Sequence, residues 1–186
     1  MPNLKAKTKK LKTLHLGCGA SKKPGSIGVD INRKSSADVV HDLNKFPYPF
    51  SANQFGLVIA ENILEHLDNI PKVMEEIYRI CKNGARVKIT ASHFTSVDSF
   101  TDPTHKHFFT SRSFDYFIPG EDLYKYNYSR IKFKKIKVAV GPLFGVNLIL
   151  KFLLKVINKF MIFYEKRLAF IFPVGTIYYE LEVIKN

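Results

Sequence analysis

The pattern of apolar and polar positions changes character along this chain, and each change predicts a different kind of element. Up to residue 60 the apolar residues come in short runs, Thr13–Leu16, Ile27–Ile31, Ala37–Val40 and Phe55–Ala60, separated by Gly, Pro, Ser and Asp. Short apolar runs bounded by turn residues fit the strands of a parallel sheet buried on both sides. FGLVIA at 55–60 is continuous and predicts a central strand. From Pro71 the period lengthens. Val73, Met74, Ile77, Ile80 and Cys81 share one helical face, Pro71 suits its first turn and Gly84 its end. Arg86–Ala91 then predicts another strand.

The last third has two alternating stretches, Lys132–Val140 and Thr176–Ile184, which read as strands six and seven. Between them lies an apolar insert from Leu143 to Pro173. Its polar residues Asn147, Lys151, Lys155 and Lys159 recur every fourth position and make one narrow stripe on a helix. Repeated lysine argues against a bilayer span, which needs about 20 residues with few charges. A basic amphipathic helix in a membrane interface fits, and so do a lid, a dimer face or simple packing on the sheet.

Candidate chemistry concentrates in TLHLGCGASKKPGSIGVD, residues 13–30. A strand that ends in Gly-x-Gly lets backbone pass close to a ligand. An acid at the tip of the next strand, Asp30, can accept two hydrogen bonds from a ribose diol. The connector between the strands is shorter than the roughly 10–12 residues of an ordinary crossover, so the first helix is reduced to a turn or so.

These residues carry a resemblance. LHLGCG (14–19), GVD (28–30), HDLNKFPYPF (41–50), FGLVIAENILEHL (55–67) and EEIYRICKNGARVKI (75–89) resemble the class I S-adenosylmethionine-dependent methyltransferases, methyltransferase type 11 in particular. The resemblance implies a Rossmann-like α/β fold: a seven-stranded, mostly parallel sheet with an antiparallel last strand and helices on both faces. It implies S-adenosylmethionine as cofactor. Gly17 and Gly19, with Cys18 between them, match the turn passing its methionine part. Asp30, followed by Ile31, matches the ribose-holding acid. Asp42 and Leu43 match the pair beside the adenine. Glu61 and Asn62 fall at the carboxyl end of strand four, and His66 matches a position facing cofactor or substrate. His15 and Ser21 depart from the family pattern, standing where an acid and a third glycine are common. No Asn/Asp-Pro-Pro-Tyr follows strand four and no Pro-Cys nucleophile appears, which disfavours methylation of DNA bases.

Beyond strand five, SHFTSVDSFTDPTHKHFFTSRSFDYF corresponds to the loop over the active site. A hydroxyl acceptor must lose a proton, and histidine, with an unperturbed pKa of about 6.5, is the usual base. His107 and His105 are the leading candidates and His93 the third; the same side chains also suit loop capping. His105-x-His107 with Asp102 and His93 offers a weak metal-binding pattern, and no metal site is assigned.

Composition adds bounds. The chain has 186 residues, 46% of them hydrophobic, a one-domain length with enough apolar material for a core. Residues 1–12 read as a basic flexible arm and 13–186 as a single domain carrying the insert 143–173. The arm has no apolar run behind it and does not resemble a secretory signal. A formal charge of +13 points to an anionic partner. Two cysteines are too few for a disulfide framework and fit a cytoplasmic setting, with the insert as a route to the inner membrane face. The expected function is methyl transfer to an O or N acceptor, a small molecule or a lipid-linked or glycan precursor. A non-catalytic cofactor-binding regulator or scaffold and an RNA methyltransferase are the alternatives, and oligomeric state is not readable.

Overall fold

The computed structural model describes residues 12–142, 145 and 148–185. Seven strands form one sheet: β1 Thr13–Leu16, β2 Ser26–Asp30, β3 Val39–Val40, β4 Phe55–Glu61, β5 Cys81–Ser92, β6 Phe133–Gly141 and β7 Thr176–Val183. Their order is β3-β2-β1-β4-β5-β7-β6. The pairs from β3 to β5 are parallel, and β7 runs antiparallel between β5 and β6. This is the Rossmann-like sheet with a reversed last strand that the resemblance implies.

The core forms where the apolar runs cross. Leu14, Leu16, Val29, Val58 and Ala60 are fully buried, as are Val87, Ile89, Ile177 and Leu181. Helix α1, Ile70–Ile80, closes this face. Asn69 caps it by accepting from the Lys72 N–H at 3.0 Å, Pro71 sits in its first turn, and Val73, Met74, Ile77 and Ile80 point inward. Cys81 is a correction to the sequence reading. The helix stops at Ile80, and Cys81 opens β5 opposite Phe55, so that strand starts five residues before Arg86.

The opposite face is covered differently. β1 and β2 are joined by turns, with no helix among residues 17–25. Instead the connector folds back on the sheet: the Lys23 N–H donates to His15 Nδ1 at 3.2 Å. Further along this face Leu57, Ile59, Arg86, Lys88, Tyr178, Glu180 and Glu182 are only partly buried. Cover on the two faces is therefore unequal among the described residues. The reason is physical: a nine-residue connector cannot hold a helix that returns along the sheet.

The insert is two helices, not one. α3 runs Leu148–Lys159 and α4 Met161–Arg167, after the short helix α2 at Asp98–Thr101. α3 lies along the free edge of β6. Asn158 Oδ1 accepts from the Val140 N–H at 2.7 Å, and its Nδ2 donates to the Val140 carbonyl at 3.1 Å and to Leu154 at 2.8 Å. One amide thereby pairs both groups of an edge residue that would otherwise invite another strand. The expected arm lies outside the described residues except Lys12, whose carbonyl already accepts from the Gly56 N–H at 3.0 Å. Asn147 of the expected stripe also lies outside them.

Candidate active site

Strand ends at the carboxyl edge build a cleft of about 160 Å³, lined by Gly17, Asp30, Ile31, His41, Asp42, Leu43, Asn44, Ile63, His66 and Leu67. Gly17 has φ +59°, and a Cβ there would stand 2.5 Å from Ile63 Cγ1. Only glycine lets the backbone turn here with Ile63 packed against it. Asp30 is held from two sides: Oδ2 accepts from the Gly19 N–H and Oδ1 from the Asn32 N–H, each at 2.8 Å. Each carboxylate oxygen has a second lone pair left for a ligand. Leu43 is buried while Ile31, which also lines the cleft, is two-thirds exposed. Asp42 Oδ1 accepts from the Asn44 N–H at 3.0 Å.

Of the residues singled out from the sequence, Gly17, Asp30, Ile31, Asp42, Leu43 and His66 line this cleft. Gly19 reaches it through Asp30. Cys18 is buried, with its thiol toward the Gly28 backbone. Glu61 is drawn away by Lys23, whose Nζ lies 2.7 Å from Oε2. Asn62 occupies a left-handed turn, φ 49°. His41, Asn44, Ile63 and Leu67 were missed. Each neighbours a residue already chosen, and only the fold shows which side chains turn inward.

His15 explains its departure from the family pattern. It is 3% exposed, and burial, against the pull of Glu61 and helped by Lys23, lowers its pKa. A neutral imidazole accepting from Lys23 anchors the connector that replaces the first helix.

The loop after β5 separates the three candidate bases. His93 is fully buried under α4. Its Nε2 faces Glu165 Oε1 at 3.4 Å and its Nδ1 accepts from Thr95. With both nitrogens engaged and no exposure, His93 is not among the residues that line the cleft. His107 donates from Nε2 to the Leu67 carbonyl at 2.8 Å and faces a neighbouring cavity of about 240 Å³ with Pro71, Tyr116 and Phe117. His105 packs against His66, ring centroids 4.6 Å apart. Thr104 joins them, accepting from His66 Nδ1 at 2.8 Å and donating to Asp102 Oδ1 at 2.7 Å. That hydroxyl, followed by the Thr104 N–H, holds Asp102 below the usual carboxylate range. Glu65, missed in the sequence, positions the loop: its carbonyl accepts from the Lys106 and His107 N–H groups at 2.7 and 3.2 Å.

Open α/β sheets bind ligands in the crevice outside the carboxyl ends of their strands, and this cleft lies there beside a glycine turn and an acid. This architecture is one that nucleotide-cofactor-binding proteins share. Residues 14–89 match the family model described as a methyltransferase domain. No curated protein sequence matches. A SAM-dependent methyltransferase from Archaeoglobus fulgidus is 20% identical, with TM-score 0.57, over 92% of this chain and 86% of that one. The YcgJ protein of Bacillus subtilis is 14% identical, with TM-score 0.60, over 95% and 93%. The [4+2]-cyclase SpnF is 13% identical, with TM-score 0.54, over 95% and 76%. Such identities speak for the fold alone. The match over residues 14–89 is to a methyltransferase domain, and the fold is the one seen in class I S-adenosylmethionine-dependent methyltransferases, whose cofactor is S-adenosylmethionine. The residues lining the cleft fit that group: an acid with free lone pairs, the apolar side chains of Ile31 and Leu43, and backbone without a Cβ at Gly17.

Proposed function

We propose that this protein transfers a methyl group from S-adenosylmethionine to an oxygen or nitrogen acceptor presented at a membrane surface, as a lipid-linked or glycan precursor would be. The observation that carries the cofactor assignment is Asp30, fixed by two backbone N–H groups with its outer lone pairs toward the cleft. In this reading Asp30 accepts from the ribose hydroxyls, Ile31 and Leu43 hold the adenine between them, Asp42 accepts from its amine, and Gly17 and Gly19 pass the methionine part. The cofactor supplies an activated methyl carbon on a sulfonium, so the protein needs mainly to position the acceptor and remove its proton. Positioning falls to the wall of His66, Asp102, Thr104 and His105. His105 donates from Nδ1 to the Ser99 carbonyl at 3.1 Å, which leaves the Nε2 lone pair to receive the proton.

Support for a membrane-borne acceptor comes from the surface. On α3 Ile149, Phe152 and Val156 are exposed beside Lys151 and Lys155, and Phe160, Phe163, Phe170 and Ile171 extend the patch. Surface helices are ordinarily polar on their outer side. Apolar side chains interleaved with lysine fit the headgroup region of an anionic bilayer. Among the described residues no helix is long and apolar enough to cross a membrane. The patch meets the acceptor-side loop through Phe94 and Phe170, 5.6 Å between ring centroids, and that loop exposes the stacked pair Phe100 and Phe108.

Calorimetry with S-adenosylmethionine and S-adenosylhomocysteine tests the first half. Micromolar binding of both is expected. Absence of binding for both removes the cofactor assignment, while binding of both without turnover of any acceptor moves the non-catalytic reading to the front, and SpnF shares the fold under the name of a cyclase.

A further inference from the structure

His66, Asp102 and His105 come from two separate stretches of chain, yet one donor atom of each lies within 4.8 Å of the other two. The hydrogen bonds around them decide which atoms are free. Thr104 gives its only hydroxyl proton to Asp102, so it must accept from His66, and Nδ1 of His66 carries the proton. A carbonyl cannot donate, so the bond between His105 Nδ1 and the Ser99 carbonyl makes Nδ1 the protonated nitrogen there too. When neutral, both imidazoles therefore leave a lone pair on Nε2. Asp102 spends Oδ1 on the Thr104 N–H and hydroxyl, at 2.8 and 2.7 Å, and keeps Oδ2.

Histidine ligands of metals characteristically donate their other N–H to a carbonyl or to a group tied to a carboxylate, which fixes tautomer and ring orientation. Both histidines here do so. We propose that His66, Asp102 and His105 bind one divalent cation of the zinc class beside the cofactor cleft. Imidazole and carboxylate suit such a cation, and three protein ligands with an open position are the pattern of catalytic rather than structural sites. Bonds of about 2.0–2.2 Å need donor atoms roughly 3.3 Å apart, against separations of up to 4.8 Å here, so the three side chains close by at most about 1.5 Å on binding. Asp102 is exposed and the two histidines half-buried, which leaves them room to move and leaves one side open for an acceptor.

This inference rests on the methyltransferase reading and deepens it. His66 lines the cofactor cleft, so a cation held by this group would sit beside the bound cofactor. A hydroxyl entering the open position becomes more acidic and loses its proton to water, its oxygen lone pair remaining to take the methyl group. His105 then serves as a ligand and not as a free base. A lone His-x-His spacing would have pointed to His107 instead, but that residue turns to the neighbouring cavity.

The test is titration of tag-free, chelator-washed protein with Co²⁺, read by absorbance, and with Zn²⁺, read by calorimetry. One ion per chain is expected at micromolar affinity. His66→Ala and His105→Ala should each weaken binding at least 10-fold. Thr104→Val, a positioning change that removes no ligand, should weaken it about 10-fold or more. S-adenosylmethionine affinity is measured on the same chelator-washed wild type. If that cofactor binds and neither metal does, or if metal binding is unchanged in both histidine variants, the cation site is wrong and the functional reading stands. If neither cofactor nor metal binds, both fall.

Discussion

The strands around the cleft and the insert treat apolar side chains in opposite ways. Leu14, Leu16, Val29, Val58 and Ala60 are sealed completely, and the large apolar residues that the first third of the chain exposes are few, Ile31, Val40 and Phe46. The insert seals Leu154, Ile157, Met161 and Tyr164 and exposes more than twice as many large apolar residues, Phe152 at 71% and Phe170 at 83% among them. One region is a closed core that offers hydrogen-bonding geometry. The other is a half-closed core that offers side chains. A cofactor common to a whole class can be met by the first kind of surface, because its demands are the same in every member. An acceptor peculiar to one protein calls for the second kind.

The sharpest way to break this contrast is to reverse the charge of the outer surface. Lys151, Lys155 and Lys159 replaced together by Glu should lower association with anionic vesicles by more than about 100-fold, at roughly 1 kcal/mol for each lysine lost near such a surface. Affinity for S-adenosylmethionine should not change, since none of the three touches the cleft. Co-sedimentation with anionic and with neutral vesicles reads the outcome. Wild-type protein that ignores both, or a triple variant that sediments as before, removes the membrane partner and leaves a second copy of this chain as the occupant to test by mass.

The same logic applied to the closed region gives Asp30→Ala. Two hydrogen bonds to a charged acceptor contribute about 1.5–3 kcal/mol each, so affinity for the cofactor should fall about 100-fold or more. Asp30 also holds Gly19 and Asn32, so Asp30→Asn is the companion: it keeps an acceptor for one backbone group and should fall less. Cofactor affinity unchanged in both variants would mean the ribose lies elsewhere. Vesicle association should be untouched.

How far these two regions were legible in the sequence follows the same divide. The strands, the glycine turn and Asp30 at a strand tip are written in local runs and spacings, which is why Thr13–Leu16 and Phe55–Ala60 read correctly, whereas the arrangement of the strands was implied by the family resemblance. The residues that depend on side-chain direction did not. Glu61 stands at the right strand end but is claimed by Lys23 from the connector, a contact across 38 residues. His93, His105 and His107 look alike within one loop, yet Glu165, Ser99 and Leu67 send them to three different places. The helix boundary at Ile80 was hidden because Cys81 continues the apolar period while pairing with Phe55. In the insert the lysine spacing correctly marked an exposed stripe, but the break at Phe160 comes after Asn158 has turned its amide to β6, a long-range bond that no local pattern carries.

Packing against the glycine turn supplies a smaller effect. Gly17→Ala forces a Cβ into the left-handed region and against Ile63, and should cost about 2 kcal/mol in denaturant unfolding. In an Ile63→Gly background, which removes the Cβ, Cγ1 and Cδ1 atoms that a new Cβ would meet, only the backbone term of about 1 kcal/mol should remain. A cost equal in both backgrounds would show that Ile63 does not pack on the turn as described.

The smallest effect concerns the bond between insert and loop. Glu165 accepts from the Ser111 N–H and hydroxyl at 2.6 and 2.7 Å and from His93, with its side chain 9% exposed. Burial alone would raise its pKa, but these hydrogen bonds outweigh it and the carboxyl titrates below its ordinary 4.5. A folded-state pKa below the unfolded one adds stability that is fully present above the unfolded value and is lost as pH falls through the folded one. Glu165→Gln should therefore be less stable than wild type by about 1 kcal/mol at neutral pH. The gap should hold down to about pH 4.5 and narrow below it, read as the difference in urea midpoint at each pH. A constant gap across that range would show that the carboxylate charge is not what ties α4 to the loop. Since Glu165 also fixes His93, the variant should loosen the insert without moving Asp30, and cofactor affinity at neutral pH should match wild type while the contact of Phe94 with Phe170 weakens.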